Sequence, residues 1–275
     1  MSVKRKFEST IWSVKTKLRR DLTNSLRAIE TQSIVRQSQE TSETIWSLPE
    51  YKNARNVGFF LHDEPGDPPR RRDVKVEIRT DKLIQRAFED GKCVYLPRVV
   101  PTITLKDEFV NLIRQIQGQI YDSPVFPFLF LQMVRVPSLE YVKSLYVETK
   151  PGKFIVKEPD ASFTDVIEEG GLHFMTVPGL GFSRACYRIG DGNALYDNYM
   201  TFHRALSQCN EQPTPQFVGV ALGQQIDRSA RIPAHRHDTQ LNLVVSRRQI
   251  YRLVPNQDTV VDKSKNYNSI DTVDM

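Results

Sequence analysis

Apolar residues recur at steps of three and four along the first part of the chain, at Ile11, Val14, Leu18, Leu22, Leu26 and Ile29. That period predicts a helix over about residues 10–30 with one face turned to a core. A second helix is expected over 33–47. A short apolar run, NVGFFL at 56–61, then follows a polar stretch and has the pattern of a buried strand. A helix over about 80–90 should end at Asp90-Gly91, a C-cap signal. Residues 92–96 (KCVYL) are expected to form a second strand, stopped by Pro97. Further strand candidates are 131–136, 172–177, 217–222 and 241–246, and a helical pattern fills about 194–208. Strands that alternate with helices predict an α/β fold with a mostly parallel sheet covered on both faces.

Two segments break this rhythm. Residues 63–75 (DEPGDPPRRRDVK) are rich in Pro and Arg and read as an exposed loop. Residues 100–130 form an excursion of a length uncommon inside a compact domain. Two readings of it stand. Phe109, Leu112, Ile113 and Ile116 have helical spacing, which fits an extra helix. The run SPVFPFLFLQ is also what a translated pyrimidine-rich intron end would encode, which fits a gene-model artefact, and a dispensable insert should be removable without loss of folding. The folded unit is expected to span 11–246, after a flexible N-terminus at 1–10 and before a polar, disordered tail at 247–275.

Composition narrows the class. Of 275 residues, 39% are apolar and 26% charged, as in a globular protein, and no apolar run approaches the roughly 18 residues of a membrane helix. The basic start lacks the apolar core of a secretory signal, and Glu8 and Asp21 count against an amphipathic presequence. Cys93, Cys186 and Cys209 are odd in number, widely spaced and without a CxxC pair, so a reducing compartment, the cytoplasm, is expected. The net charge of +5 is concentrated early: residues 1–27 hold eight Lys and Arg against two acids. Such a cluster attracts phosphate, whether in a nucleotide, an anionic substrate or a nucleic acid.

Candidate chemistry gathers at 177–199, VPGLGFSRACYRIGDGNALYDNY. No P-loop, GxSxG elbow or HExxH occurs. Instead, a strand candidate runs into Pro178-Gly179, a loop with Gly190 and Gly192 follows, and then a helix. Such loops turn backbone N–H groups and a helix N-terminus toward an anion. The alternative is an ordinary connection whose glycines serve only the turn. Lys15 and Arg19 lie four apart on one helix face, which on its own is equally the pattern of a solvated face. His235 and His237 form a lone H-x-H, weak as a transition-metal pair.

In order, PGLGF, then R-x-G-x-G-x-x-x-YD at 188–197, GVALGQQ, and Pro233 with His237-Asp238 resemble the signature of the 5-formyltetrahydrofolate cyclo-ligase (5,10-methenyltetrahydrofolate synthetase) family. KTKLR at 15–19 resembles its K-x-x-x-R helix, and Leu96-Pro97-Arg98 its second-strand ending. The resemblance covers about 11–246 apart from the two insertions. It implies a single three-layer α/β domain, neither in a membrane nor on nucleic acid, acting as a monomer on 5-formyltetrahydrofolate and ATP with Mg²⁺. The implied reaction yields 5,10-methenyltetrahydrofolate, ADP and phosphate.

The resemblance also implies roles. Lys15, Arg19, Arg188, Gly190, Asp191, Gly192, Asn193 and Tyr196 would meet ATP, with Arg188 and Tyr196 as the catalytic pair. Leu61, Glu77, Asp191, Gly192, Asn193, Ala194 and Leu195 would meet the folate. Asp197 and Asp238 would hold Mg²⁺, as hard oxygen donors suit that ion, and replacing either with Ala is expected to abolish turnover with the fold intact. This chain departs from the family's loop, which reads close to R-x-G-[RQ]-G-[KG]-G-[YF]-Y-D. Asp191, Asn193, Ala194 and Leu195 stand where cationic, small or aromatic residues are usual, Ser183 where an Asp is common, and Asn242 where an acid is usual. Three readings follow: an active cyclo-ligase, a catalytically weak paralogue that binds folate or nucleotide, and a basic nucleic-acid-binding module.

Overall fold

The apolar runs of the sequence become the strands of a seven-stranded sheet in the computed structural model, which describes residues 3–62, 76–120, 127–151, 153–227, 232–234 and 238–253. In chain order the elements are α1 (Val3–Arg27), α2 (Thr31–Ser47), α3 (Pro49–Lys52), β1 (Asn56–Gly58), α4 (Asp81–Glu89), β2 (Cys93–Pro101), α5 (Asp107–Ile120), β3 (Leu129–Arg135), α6 (Leu139–Ser144), β4 (Tyr146–Lys150), β5 (Lys153–Val156), β6 (Phe174–Val177), β7 (Gly181–Ser183), β8 (Arg188–Ile189), α7 (Leu195–Cys209), β9 (Gln216–Ala221), β10 (Ile226–Asp227), β11 (Leu243–Ser246) and β12 (Gln249–Arg252). The main sheet runs β12-β11-β9-β6-β1-β2-β3. Its strands from β11 to β2 pair in parallel, while β12 and β3 close the two edges antiparallel.

Alternate residues of the central strands enter two different cores. Tyr95, Met175, Phe217, Ala221 and Val244 pack on one face with α5 and α7. Val94, Leu96, Phe174, Val218 and Val245 pack on the other with α2, α3, α4 and α6. A sheet buried on both faces needs apolar residues at every position, which explains why these strands read as continuous runs rather than alternating ones. The result is the three-layer α/β domain.

Four expectations are refined. The helix expected from about residue 10 starts earlier, since α1 is helical from Val3, before its apolar period begins. Pro97 does not stop β2, which runs on to Pro101. Tyr95 accepts a bond from the Phe59 N–H on the β1 side and Val94 one from Val136 on the β3 side. Pro97 shares Tyr95's side, so its missing N–H ends the pairing with β1, while the pairing with β3 runs on through Leu96 and Arg98. Of the two readings of the excursion at 100–130, the structure shows the extra helix, packed into the core. The segment holds the end of β2, a 3₁₀ turn at Thr102–Thr104, α5 and the start of β3. Leu112, Ile113 and Ile116 are buried, and Phe109 packs edge-on against Phe202 of α7 at 6.4 Å. Finally, β12 extends ordered chain past residue 247, where the tail was expected to begin. Residues 63–75 lie outside the described residues.

Candidate active site

The helix α1 sets one wall of a cavity. Ile11, Lys15, Arg19, Leu22 and Leu26 follow one another at steps of four and three, so the basic pair lies within the packed stripe of the helix and not on its solvated face. Lys15 is only 8% exposed. The cavity has a volume of about 500 Å³ and opens at the carboxyl ends of the parallel strands β1, β2 and β6, where open α/β sheets take ligands. Phe60 and Leu61 after β1, Pro97 and Val99 of β2 and Pro178 after β6 contribute to its walls.

Thirteen of the fourteen residues singled out from the sequence line this one cavity: Lys15, Arg19, Leu61, Glu77, Arg188, Gly190, Asp191, Gly192, Ala194, Leu195, Tyr196, Asp197 and Asp238. Asn193 does not line it. Its side chain is exposed, and its backbone N–H turns back to Asp191 Oδ1 at 3.5 Å. Trp12, also on the cavity wall, was missed. The signal for it was its position, one helical step of three before Lys15.

The charged groups are held in pairs. Arg188 donates through Nη2 to Asp197 Oδ2 at 2.5 Å and through Nη1 to the Pro178 carbonyl at 3.0 Å. Its guanidinium lies 5.5 Å from the centre of the Tyr196 ring. Asp197, in the first turn of α7, accepts the Thr239 N–H at Oδ1 (3.0 Å), so the chain at Asp238 is tied beside it. Asp238 itself pairs with Lys15. Arg19 donates to the Gly190 carbonyl at 2.8 Å. A Cβ at Gly190 would meet Arg188 Nη1 at 2.8 Å, so a side chain there would push on the guanidinium. Three segments far apart in sequence thus converge through charge.

The loop pays for its departures from the family pattern in backbone strain. Ala194, where a Gly is usual, has φ +52°, and it precedes α7 with no side-chain cap. That conformation costs an L-residue roughly 1–2 kcal/mol relative to Gly. Enclosure pushes the Tyr196 phenol well above its ordinary pKa, and the Glu77 carboxylate adds to the rise. Tyr196 is therefore a neutral hydrogen-bond donor throughout the physiological range.

The carboxylates Asp197 and Asp238 offer oxygen donors only, side by side on the cavity wall, which fits a hard divalent cation that takes its other ligands from phosphate and water. No cluster of three or more His, Cys, Asp or Glu suited to a metal occurs among the described residues. The lone pair His235 and His237 lies outside them.

Comparison with known proteins agrees with this geometry. The model of the 5-formyltetrahydrofolate cyclo-ligase family matches residues 11–247. The chain is 26% identical to the 5-formyltetrahydrofolate cyclo-ligase of Mus musculus over 242 residues, 86% of this chain and 95% of that protein. It is 28% identical to the 5-formyltetrahydrofolate cyclo-ligase of Saccharomyces cerevisiae over 236 residues, 85% and 95% of the two chains. Its fold resembles the NMR structure of Aquifex aeolicus 5,10-methenyltetrahydrofolate synthetase, with a TM-score of 0.55 at 19% identity over 87% of this chain and 93% of that one. Matched over most of its length, the chain belongs to the 5-formyltetrahydrofolate cyclo-ligase family.

Proposed function

We propose that this protein converts 5-formyltetrahydrofolate to 5,10-methenyltetrahydrofolate with ATP, releasing ADP and phosphate, in the cavity described above. The observation that carries the reading is the convergence of Lys15, Arg19 and Arg188 with two carboxylates on one cavity at the strand ends. An N-formyl oxygen is a poor leaving group until it is phosphorylated. N10 of the folate then attacks the activated carbon and the ring closes as phosphate departs. Phosphoryl transfer of this kind needs positioning and fixed cations more than covalent help from the protein.

Each side chain has a task in this reading. Lys15 and Arg188 bring positive charge to the phosphates beside the carboxylates they pair with. Arg19, anchored on the Gly190 carbonyl, holds the loop against the helix. Tyr196 donates a hydrogen bond without losing its proton. Leu61, Leu195 and Ala194 give an apolar wall to the folate, and Glu77 accepts from pterin nitrogens. Asp197 and Asp238 would hold Mg²⁺, which would neutralise phosphate charge. Three free cysteines fit a cytoplasmic protein. No helix of the described residues is long and apolar enough to cross a membrane. The purified protein should give a rise in methenyl-folate absorbance that requires both ATP and 5-formyltetrahydrofolate. No rise at any ATP concentration, with folate still bound, would support the catalytically weak reading instead.

That second reading has one specific observation behind it: Asp191 faces the cavity where a phosphate would lie, and a carboxylate repels it. Asp191→Arg is expected to raise apparent ATP affinity about 10- to 100-fold, since a charge-assisted hydrogen bond is worth roughly 1.5–3 kcal/mol. Asn193→Lys should change it by less than about twofold, because that side chain lies off the cavity. Nucleotide titration of the two variants checks both values. Equal effects would mean that the loop does not hold the phosphates.

A further inference from the structure

A second cleft opens on the same edge of the sheet, past the far side of α1. It lies at the carboxyl ends of β9 and β11, where Gly223-Gln224 and Ser246-Arg247 leave the sheet, and its volume is about 1080 Å³. Arg36 of α2, Arg184 after β7, and Arg247 and Arg248 line it, and among the described residues Glu40 is the one acid on its walls. Arg247 bonds Glu40 Oε2 at 2.7 Å, which leaves three further guanidinium groups around a single carboxylate. The arginines lower the Glu40 pKa, chiefly through the Arg247 bond, with Arg248 and Arg36 adding to it.

The arginines are held in place at a cost. Arg247 and Arg248 form the whole two-residue turn between β11 and β12. Such turns favour Gly, Asn or Asp because they need a left-handed residue, yet Arg247 occupies that position at φ +57°. Its N–H donates to Thr41 Oγ1 at 2.8 Å and its carbonyl accepts from Thr44 Oγ1 at 2.8 Å, so α2 braces the strained tip. Gln37, 4% exposed, closes the floor by accepting the Gly223 N–H at 2.7 Å. A strained turn built of two arginines is not something the fold requires. Planar guanidinium groups converging on a braced polar cleft match the paired oxygens of phosphates and carboxylates.

We propose that this cleft is a second binding site for a small polyvalent oxyanion, separate from the catalytic cavity. The proposal stands independently of the reaction assigned to that cavity. Its test is calorimetric titration of the full chain with inorganic tripolyphosphate, and separately with citrate, at low salt. Two sites for tripolyphosphate are expected. Lys15→Met/Arg19→Met should remove the one in the catalytic cavity. Arg36→Gln/Arg248→Gln, two exposed changes that leave the core untouched, should weaken the other at least about tenfold, with turnover at saturating ATP unchanged. Loss of tripolyphosphate alone would mark the ligand as a phosphate, and loss of citrate as well would mark carboxylates as equally good. A single site that disappears with Lys15→Met/Arg19→Met, or unchanged binding of both probes in Arg36→Gln/Arg248→Gln, would overturn the proposal. So would a short RNA that displaces tripolyphosphate from the second cleft and binds more tightly than it.

Discussion

Asp197→Ala is expected to lose stability as well as activity. The sequence pattern alone suggested a ligand whose removal leaves the fold intact. In the structure, the Arg188–Asp197 pair is 5% and 15% exposed. Removing the carboxylate leaves a largely buried guanidinium without its counter-charge, and it cuts the Thr239 N–H loose. Breaking one partner of a buried pair costs about 3–5 kcal/mol. For a chain of this size the melting temperature should fall by roughly 6–20 °C. Turnover should drop at least about 10²-fold, because the cation that faces developing phosphate charge is no longer fixed. Asp238→Ala should cost less stability, since its pair with Lys15 is more open, at 21% and 11% exposure. Urea denaturation of both variants decides the matter: equal, small losses would mean that Asp197 is not the buried counter-charge of Arg188.

Deletion of 102–127, with the ends of β2 and β3 rejoined, should leave no soluble folded protein. Closing that loop is entropically cheap, so the effect rests on packing. The deletion removes Leu112, Ile113 and Ile116, each 5% exposed or less, from the face of α7 and β3. Each buried aliphatic side chain contributes roughly 1.5–3 kcal/mol, and Phe202, Phe130 and Leu206 would become exposed in their place. The total approaches the whole stability of a typical domain, about 5–15 kcal/mol. Ile113→Ala, a milder probe, should cost about 2–5 kcal/mol. A soluble deletion variant with an unchanged melting curve would show that α5 is an ornament after all, and would return the segment to the status of an insert.

The two predictions mark where local pattern ends. The strands at 93–96, 174–177, 216–221 and 243–246 were legible because both faces of the sheet are covered, and burial on two sides writes an unbroken apolar run into the sequence. The existence of α1 was legible from apolar residues at steps of three and four, although Val14 of that expected stripe is 45% exposed, and the order of short motifs around Arg188, Gly190 and Asp197 carried the family. Tertiary structure alone decided that Lys15 and Arg19 sit inside that stripe, because periodicity gives a face but not what packs on it. It decided that Pro97 stays within a strand, since the missing N–H faces β1 and leaves the pairing with β3 on the other side intact. It turned Asn193 away from the cavity while Asp191 and Ala194 face it, because adjacent residues of a loop follow no fixed period. It gave Asp197 and Asp238 their partners across 9 and 223 residues of chain. Burial repeats with the local geometry of helix and strand and can be read from one segment, whereas charge pairing and strand neighbours depend on which distant segments the fold brings together.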